Sequence, residues 1–338
     1  MAAGLTIGIP TFNGSAYIEE AIESVLSQLS PDTQGRVDVL VSDNASSDDT
    51  SEIVSKCAQR HPTLVALRRN EANIGYDANV DAIFRSARGE YVHILGDDDF
   101  LMPGALAHTL HVIDENPDVA VIVGQVSFLD IAKNVVVAKK EYEADALCEG
   151  DSFFRLTEWG TAAVSSLIIR RTGWLGQDLA RYVGSQWIHV AAVMKMLADD
   201  VPAYVMARDL VTVRVGNPRW GTSNGNQLYL GMKHLEVLSE MNRLGYQPDV
   251  FAFYLTDRYA TNRRDIRSLR AHRSWDNIPT ASLMVRFFRD KPAVWLFDLP
   301  LLLLPPALLA IPRAIRRSPR ILRAIVTRLR SAPAGPPR

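Results

Sequence analysis

The chain has 338 residues, of which 47% are apolar and 22% charged, an ordinary globular composition long enough to bury a large core. The net charge of −1 hides an asymmetry: residues 301–338 carry eight arginines and no acid, which leaves residues 1–300 at about −9. An acidic body argues against a nucleic-acid binder, and two cysteines, Cys57 and Cys148, build neither a disulfide framework nor a metal cluster, so a reducing compartment is expected.

A strand is expected at residues 5–9, almost at the first residue, with no sign of a signal peptide. In the stretch after it, Tyr17, Ile18, Ala21, Ile22, Val25, Leu26 and Leu29 recur at helical spacing, with Glu19 and Glu20 near the helix start. Strands follow at 37–42, 63–68, 91–95 and 119–129. Between them lie a capped helix from "SSDDTSEIVSKCAQRH", a helix near 77–87 and one opened by Pro103. Such alternation predicts an α/β fold, a mostly parallel sheet with helices on both faces. Ligands bind such sheets beyond the carboxyl ends of the strands. Three polar loops, at residues 10–13, 43–46 and 97–99, are therefore expected along one edge.

After residue 130 the rhythm loosens. Strands are expected at 164–170 and 209–215, and helices at 186–198, 227–243 and 249–272. A Gly/Asn-rich loop, "GNPRWGTSNGN", occupies 216–226.

Three consecutive carboxylates, Asp97, Asp98 and Asp99, suit a hard divalent cation that bridges them to phosphate oxygens; solvated acids capping a helix are the rival reading. Asp43, at a strand end, suits either a base or ribose hydroxyl or a simple Asx turn. Pro10, Thr11 and Asn13 share that ambiguity. Asn79 sits early in a helix, after Gly75.

Together, "LTIGIPTFNGSAYIEEAIESVLSQ", "VLVSDNASSDDT", "NIGYDANV" and "GEYVHILGDDDFLMPGAL", in this order and spacing, resemble the family 2 glycosyltransferases over roughly residues 4–215. That resemblance implies the GT-A fold and inverting transfer from a nucleotide diphosphate sugar with Mn²⁺ or Mg²⁺. It implies that Pro10, Thr11, Asn13, Asp43, Asn79, Asp97 and Asp98 bind the donor, and that Asp99, at the DxD-type position, binds metal. Two departures follow. The stretch expected to hold a carboxylate base reads "YVGSQWIHV", so Asp178 and His189 are the candidates. The loop "GNPRWGTSNGN" lacks the histidine many relatives have; Arg219 there suits the leaving diphosphate and Trp220 an acceptor sugar face. Trp159 and Ser165 are candidate walls of the acceptor side. A narrower similarity, carried by the triple Asp, "SQWIH" and "GNPRW", is to O-antigen sugar transferases such as abequosyltransferases, which implies lipopolysaccharide or other polysaccharide biosynthesis.

Residues 293–312 are nearly all apolar but hold Asp298 and four prolines, and an Arg-rich segment follows. Peripheral or re-entrant attachment at the cytoplasmic face of the inner membrane is expected, against a helix packed on the body as the rival. The expected divisions are 1–226 (a GT-A catalytic domain with donor half to about 126 and acceptor half to 226), 227–292 (a helical extension) and 293–338 (a membrane-associating tail). The expected partners are a nucleotide-sugar donor, a glycan acceptor plausibly carried on a polyprenyl diphosphate, and a membrane surface, with no nucleic acid. A binding or scaffold protein that has lost catalysis is the alternative, motivated by the missing carboxylate. A nucleotidyltransferase would need a basic glycine-rich loop, and "PTFNGSAY" has no Lys or Arg.

Overall fold

The structure, a computed structural model, describes residues 4–31, 33, 35–199, 201–217, 227–271 and 278–303. Arg219, Trp220 and residues 304–338 lie outside them. The first half forms as its pattern predicts. Strand β1 (Leu5–Thr11) is buried along its whole length, between β2 (Val37–Asp43) and β4 (Tyr91–Ile94), and runs parallel to both. β3 (Val65–Arg69) extends the parallel set beyond β2. The register puts Thr11 opposite Asp43, so the two strands end level and their loops emerge side by side.

The second half breaks the parallel run. The full sheet order is β3-β2-β1-β4-β9-β6-β10-β5. β9 (Leu167–Arg170) is antiparallel to both β4 and β6 (Val121–Asp130), while β10 (Ala203–Val215) runs parallel to β6. The short β5 (Phe100–Leu101), directly after the triple aspartate, pairs antiparallel with β10, and this brings residues 211–217 over that loop. Three short features had too weak a periodicity to be read from sequence: β5, the exposed β7 (Val135–Lys140) and β8 (Ala146–Cys148).

Helices cover both faces. Ile18, Ile22 and Val25 of α1 (Ile18–Leu26) pack one face with α2 (Thr50–Arg60) and α4 (Ala105–Glu115). α3 (Tyr76–Ser86), α5 (Gly150–Thr157), α6 (Arg171–Leu175) and α7 (Ile188–Met196) pack the other. That second core also takes in Leu228 and Leu235 of α8 (Gln227–Leu238), Tyr254 of α9 (Pro248–Ala271), Phe288 of α10 (Ile278–Phe288) and Leu302 of α11 (Leu299–Leu303). Among the described residues, no helix is long and apolar enough to cross a membrane.

The two halves are clamped where Trp174 of α6 stacks on Phe84 of α3, ring centroids 3.8 Å apart, while its indole N–H donates to Asp81 Oδ1 at 2.9 Å. Trp174→Ala is expected to cost about 3–5 kcal/mol, read as a lowered urea midpoint; a loss under about 1 kcal/mol would show the clamp to be incidental.

Candidate active site

The three polar loops meet. Thr11 Oγ1 donates to Asp97 Oδ2 at 2.6 Å, which joins the β1 and β4 loops. Gly14 makes that contact possible, because a Cβ there would come within 2.3 Å of Asp97 Oδ2 and 2.4 Å of Thr11 Oγ1. The β1 and β2 loops are joined by Asn13: its N–H donates to Ser46 Oγ at 2.9 Å and its Oδ1 accepts the Ser47 N–H at 2.8 Å.

Asp43 is fully buried. One carboxylate oxygen accepts the Ser46 N–H (2.9 Å) and hydroxyl (2.5 Å), and the other faces Arg69 Nη1 at 3.2 Å. It therefore builds the turn, and any ligand role is added to that one. Asn79 differs from its expected role. Its amide is spent on Ser42 and Asn70: Oδ1 accepts from Ser42 Oγ (2.7 Å) and Asn70 Nδ2 (3.0 Å), and Nδ2 donates to Ser42 O (2.9 Å). Asn79 thus braces the end of β2 from beneath instead of presenting an amide to a ligand. Pro10 lies within β1, opposite Ser42.

The triple aspartate is not a solvated cap. Asp97, Asp98 and Asp99 are 0, 3 and 5% exposed. Asp98 Oδ2 accepts from Asn217 Nδ2 at 2.7 Å. Asp99 accepts the Ser165 hydroxyl at 2.5 Å and the Arg214 N–H at 3.1 Å. Ser165, expected on the acceptor wall, instead links Asp99 to the Gly96 N–H, which donates to its Oγ at 2.9 Å. Gly96 has no Cβ where one would come within 2.6 Å of the Asp99 carboxylate.

Arg214, which the periodicity of its strand concealed, completes the frame. Its Nη1 donates to Asp98 O at 2.6 Å, its Nη2 pairs with Glu20 at 2.6 Å, and its guanidinium lies between the rings of Tyr17 and Phe100, 5.1 and 4.9 Å from their centroids. Burial, then the charge of Asp98, pushes the Asp99 carboxyl well above the ordinary carboxylate range. That penalty on negative charge is one a divalent cation removes. No group of three or more ligating side chains is found among the described residues. The donor set therefore fits a metal held by one or two carboxylates and completed by substrate phosphates, not one caged by protein alone.

Residues 6–164 match the family model described as glycosyl transferase family 2. They are a family 2 glycosyltransferase domain. Among curated relatives, abequosyltransferase RfbV of Salmonella typhimurium is 27% identical over 207 residues, 56% of this chain and 59% of that one. The chain thus spans less than two thirds of that relative's length. Among solved structures, S. aureus TarS 1-349 superposes with a TM-score of 0.62 at 18% identity, over 86% of this chain and 81% of that one. Mannosyltransferase PcManGT from Pyrobaculum calidifontis, solved with GDP-Man and Mn²⁺, gives 0.54 at 19%, over 97% and 84%. These likenesses carry the fold, which is GT-A.

The two candidate bases lie in different surroundings, Asp178 exposed and His189 in the core. Asp178 is exposed, and its carbonyl accepts from Lys195 Nζ at 2.9 Å near the C-terminal end of α7. The loop before α7 lies at the other end of that helix, on the order of 10 Å away at 1.5 Å per residue. His189 is 2% exposed and packed beside the rings of Tyr76 and Trp187. Burial pushes it down to about 4, with only the Ala162 backbone to ease the cost. The carboxylate that does stand at the start of α7 is Asp77, from α3. It accepts the N–H groups of Gly184 (2.7 Å), Gln186 (2.8 Å) and Ile188 (3.3 Å). Burial raises its carboxyl, and those donors only partly offset this.

Burial also pushes His93 down to about 4 and His234 to about 3; His93 Nε2 meets Ser165 O at 2.8 Å, so that nitrogen carries the proton. An unfolded histidine titrates near 6.5. The stability from keeping these rings neutral is therefore fully present above about pH 6.5 and is lost as pH falls toward 4, by about 2 kcal/mol per histidine between pH 6.5 and 5. The raised carboxyls of Asp77 and Asp99 act in the opposite sense, so the readout is a difference: His189→Phe should lose less urea stability than the parent between pH 7 and 5. Parallel pH profiles in the two proteins would refute it.

Proposed function

We propose that the protein is an inverting, metal-dependent glycosyltransferase that moves a sugar from a nucleotide diphosphate donor to a glycan acceptor carried on a polyprenyl diphosphate, at the cytoplasmic face of the inner membrane. The observation that carries this reading is the buried Asp97, Asp98 and Asp99 cluster at the end of β4, next to the β1 and β2 loops, inside a family 2 domain. PcManGT, solved with GDP-Man and Mn²⁺, is consistent with it.

In a single displacement the acceptor oxygen attacks the anomeric carbon. The bond to the leaving diphosphate breaks with its electron pair, and the acceptor proton passes to a base. A bound Mn²⁺ or Mg²⁺ would neutralise charge on the leaving diphosphate. Asp99 would hold that metal. Asp97 and Asp98 would orient the ribose and sugar side, with Asp43 and the backbone of residues 11–13 shaping the nucleoside pocket. Thr11, Ser165 and Arg214 fix those carboxylates in advance of binding, so less ordering is left to the substrate. Arg219, from its sequence position, is assigned to the diphosphate.

Thermal denaturation against a panel of UDP, GDP, TDP and CDP sugars, with Mn²⁺ or chelator, tests the donor site. One donor should raise the midpoint on the order of 5 °C with metal, and neither chelated protein nor Asp99→Asn should respond. No stabilisation by any donor, or the same shift in chelator, sinks the reading. The lack of a carboxylate in "YVGSQWIHV", with His189 packed in the core, favours one rival, a donor-binding scaffold. It predicts the same stabilisation with no nucleoside diphosphate released when lipid-linked saccharide is supplied.

The membrane assignment is supported by one short segment. Val294, Asp298 and Leu302 are buried while Trp295, Leu296 and Phe297 are 50, 68 and 56% exposed, and the Arg-rich tail starts further along the chain at Arg313. Such an apolar edge followed by cations suits an anionic interface. The full chain should sediment with phosphatidylglycerol vesicles and less so in 0.5 M salt, and Leu296→Asp should weaken this several-fold. Equal binding by the variant, or none by the parent, would contradict it.

A further inference from the structure

A cavity of about 290 Å³ lies between the family 2 domain and the helices that follow it, walled by Trp159, Trp187, His234, Tyr254, Asp257 and Arg258. We propose that it binds one pyranose ring of the saccharide acceptor, as a subsite for neutral sugar. This rests on the reading of the acceptor as a glycan.

Three observations carry it. The first is the wall. Trp159 is 37% exposed, although its ring sits 5.6 Å from that of Phe128. Trp187 is fixed by its indole N–H, which donates to Leu230 O at 2.9 Å, and by stacking on His234 at 4.4 Å. Tyr254 spends its hydroxyl on Glu158 O (2.7 Å) and so offers the cavity only its ring. Rigid aromatic faces with polar groups at the rim match a sugar, whose C–H face is apolar and whose hydroxyls point outward.

The second is the rim charge. Asp257 is exposed at the mouth. Arg258 is held by an ion pair with Asp265 and by its Nε donating to Asn262 Oδ1 at 3.2 Å. It lies across α8 where Gly231 leaves room, a Cβ there coming within 2.1 Å of Nη1. The guanidinium is thus pre-set, its partner Asp265 also pairs with Arg264, and with Asp257 beside it the rim carries no net positive charge. That suits hydroxyls and disfavours phosphate or carboxylate ligands.

The third is position. Ala162, on the cavity, is three residues from Ser165, which touches Asp99. On the other side a ring contact runs from Tyr76 to His189 and on to Trp187. The cavity is therefore connected to the carboxylate cluster by short routes on two sides.

Saturation-transfer NMR on the full chain, with methyl α-glycosides of glucose, galactose, mannose and rhamnose and with galacturonic acid, tests this. At least one neutral glycoside should bind saturably, at least tenfold more weakly to Trp159→Ala and to Asp257→Asn, each first shown folded by circular dichroism, while galacturonic acid does not bind. Failure of every neutral glycoside, preference for galacturonic acid, or unchanged binding in both variants overturns the proposal. Failure of the donor reading is separate: no nucleotide sugar would stabilise the protein, yet the glycoside would still bind and still respond to Trp159→Ala.

Discussion

Three consecutive carboxylates under protein cover are the constraint on which the rest of the molecule is organised. An unpaired buried charge costs several kcal/mol, so Asp97, Asp98 and Asp99 are tolerable only where donors converge on them. Those donors come from separate parts of the chain: Thr11 from β1, Ser165 from the turn before β9, Arg214 and Asn217 from β10 and just after it. The strand order, which sets β1 and β9 on either side of β4 with β5 pairing onto β10, brings all four to one loop. The topology and the site are thus one requirement met twice.

The matched segment ends at residue 164, and of the four donors only Thr11 lies within it, the others beginning at 165. The matched segment therefore supplies the acids, the β1 and β2 loops beside them and Thr11, while the following segment supplies the other partners that hold the acids still. Arg214 shows why such a partner is a strand residue. A side chain pinned between Tyr17 and Phe100, and paired with Glu20, loses little further freedom when it holds Asp98 O. The same residue on a loop would have to be ordered at each binding event.

The parallel half was legible because each apolar run is followed by a polar loop, and period and punctuation agree. The aspartate run was legible as chemistry but not as environment: nothing local to "GDDDF" says it is buried, since its cover comes from residues 165 and 214–217. Arg214 was hidden for the matching reason, an alternating strand residue whose partners are more than a hundred positions away. The antiparallel β9 was visible as a strand but not in its direction, which is set by the antiparallel pairing with β4 and β6 and not by its own residues. Imidazole chemistry made His189 a candidate base, and how deeply it is packed is set by the helix around it and not by the residue itself. On a helix with all but one residue buried, a histidine is a core residue.

The same logic bears on the missing carboxylate in "YVGSQWIHV". That stretch lacks an acid of its own but has one held against it: Asp77 reaches from α3 to the N–H groups of Gly184, Gln186 and Ile188. A negative group is favoured there by the helix start and the free N–H groups alike. Its cost is that both oxygens are occupied, so Asp77 acts as an anchor. It fixes Gln186 at φ 67°, a backbone state most side chains avoid, and that sets the direction in which Trp187 leaves the loop. The residue before Asp77 is Tyr76, half-buried, whose hydroxyl is raised by desolvation and by the charges of Asp77 and Asp99. The residue before that, Gly75, has its carbonyl near Asn44 Nδ2 (3.3 Å) at the end of β2. One turn of helix therefore touches the nucleoside-side loop at its start, the field of the carboxylate cluster in its middle and the aromatic cavity through its anchor. The two substrates of a transfer have to be set relative to each other, and under the proposed placement of donor and acceptor α3 is a helix that touches both sides.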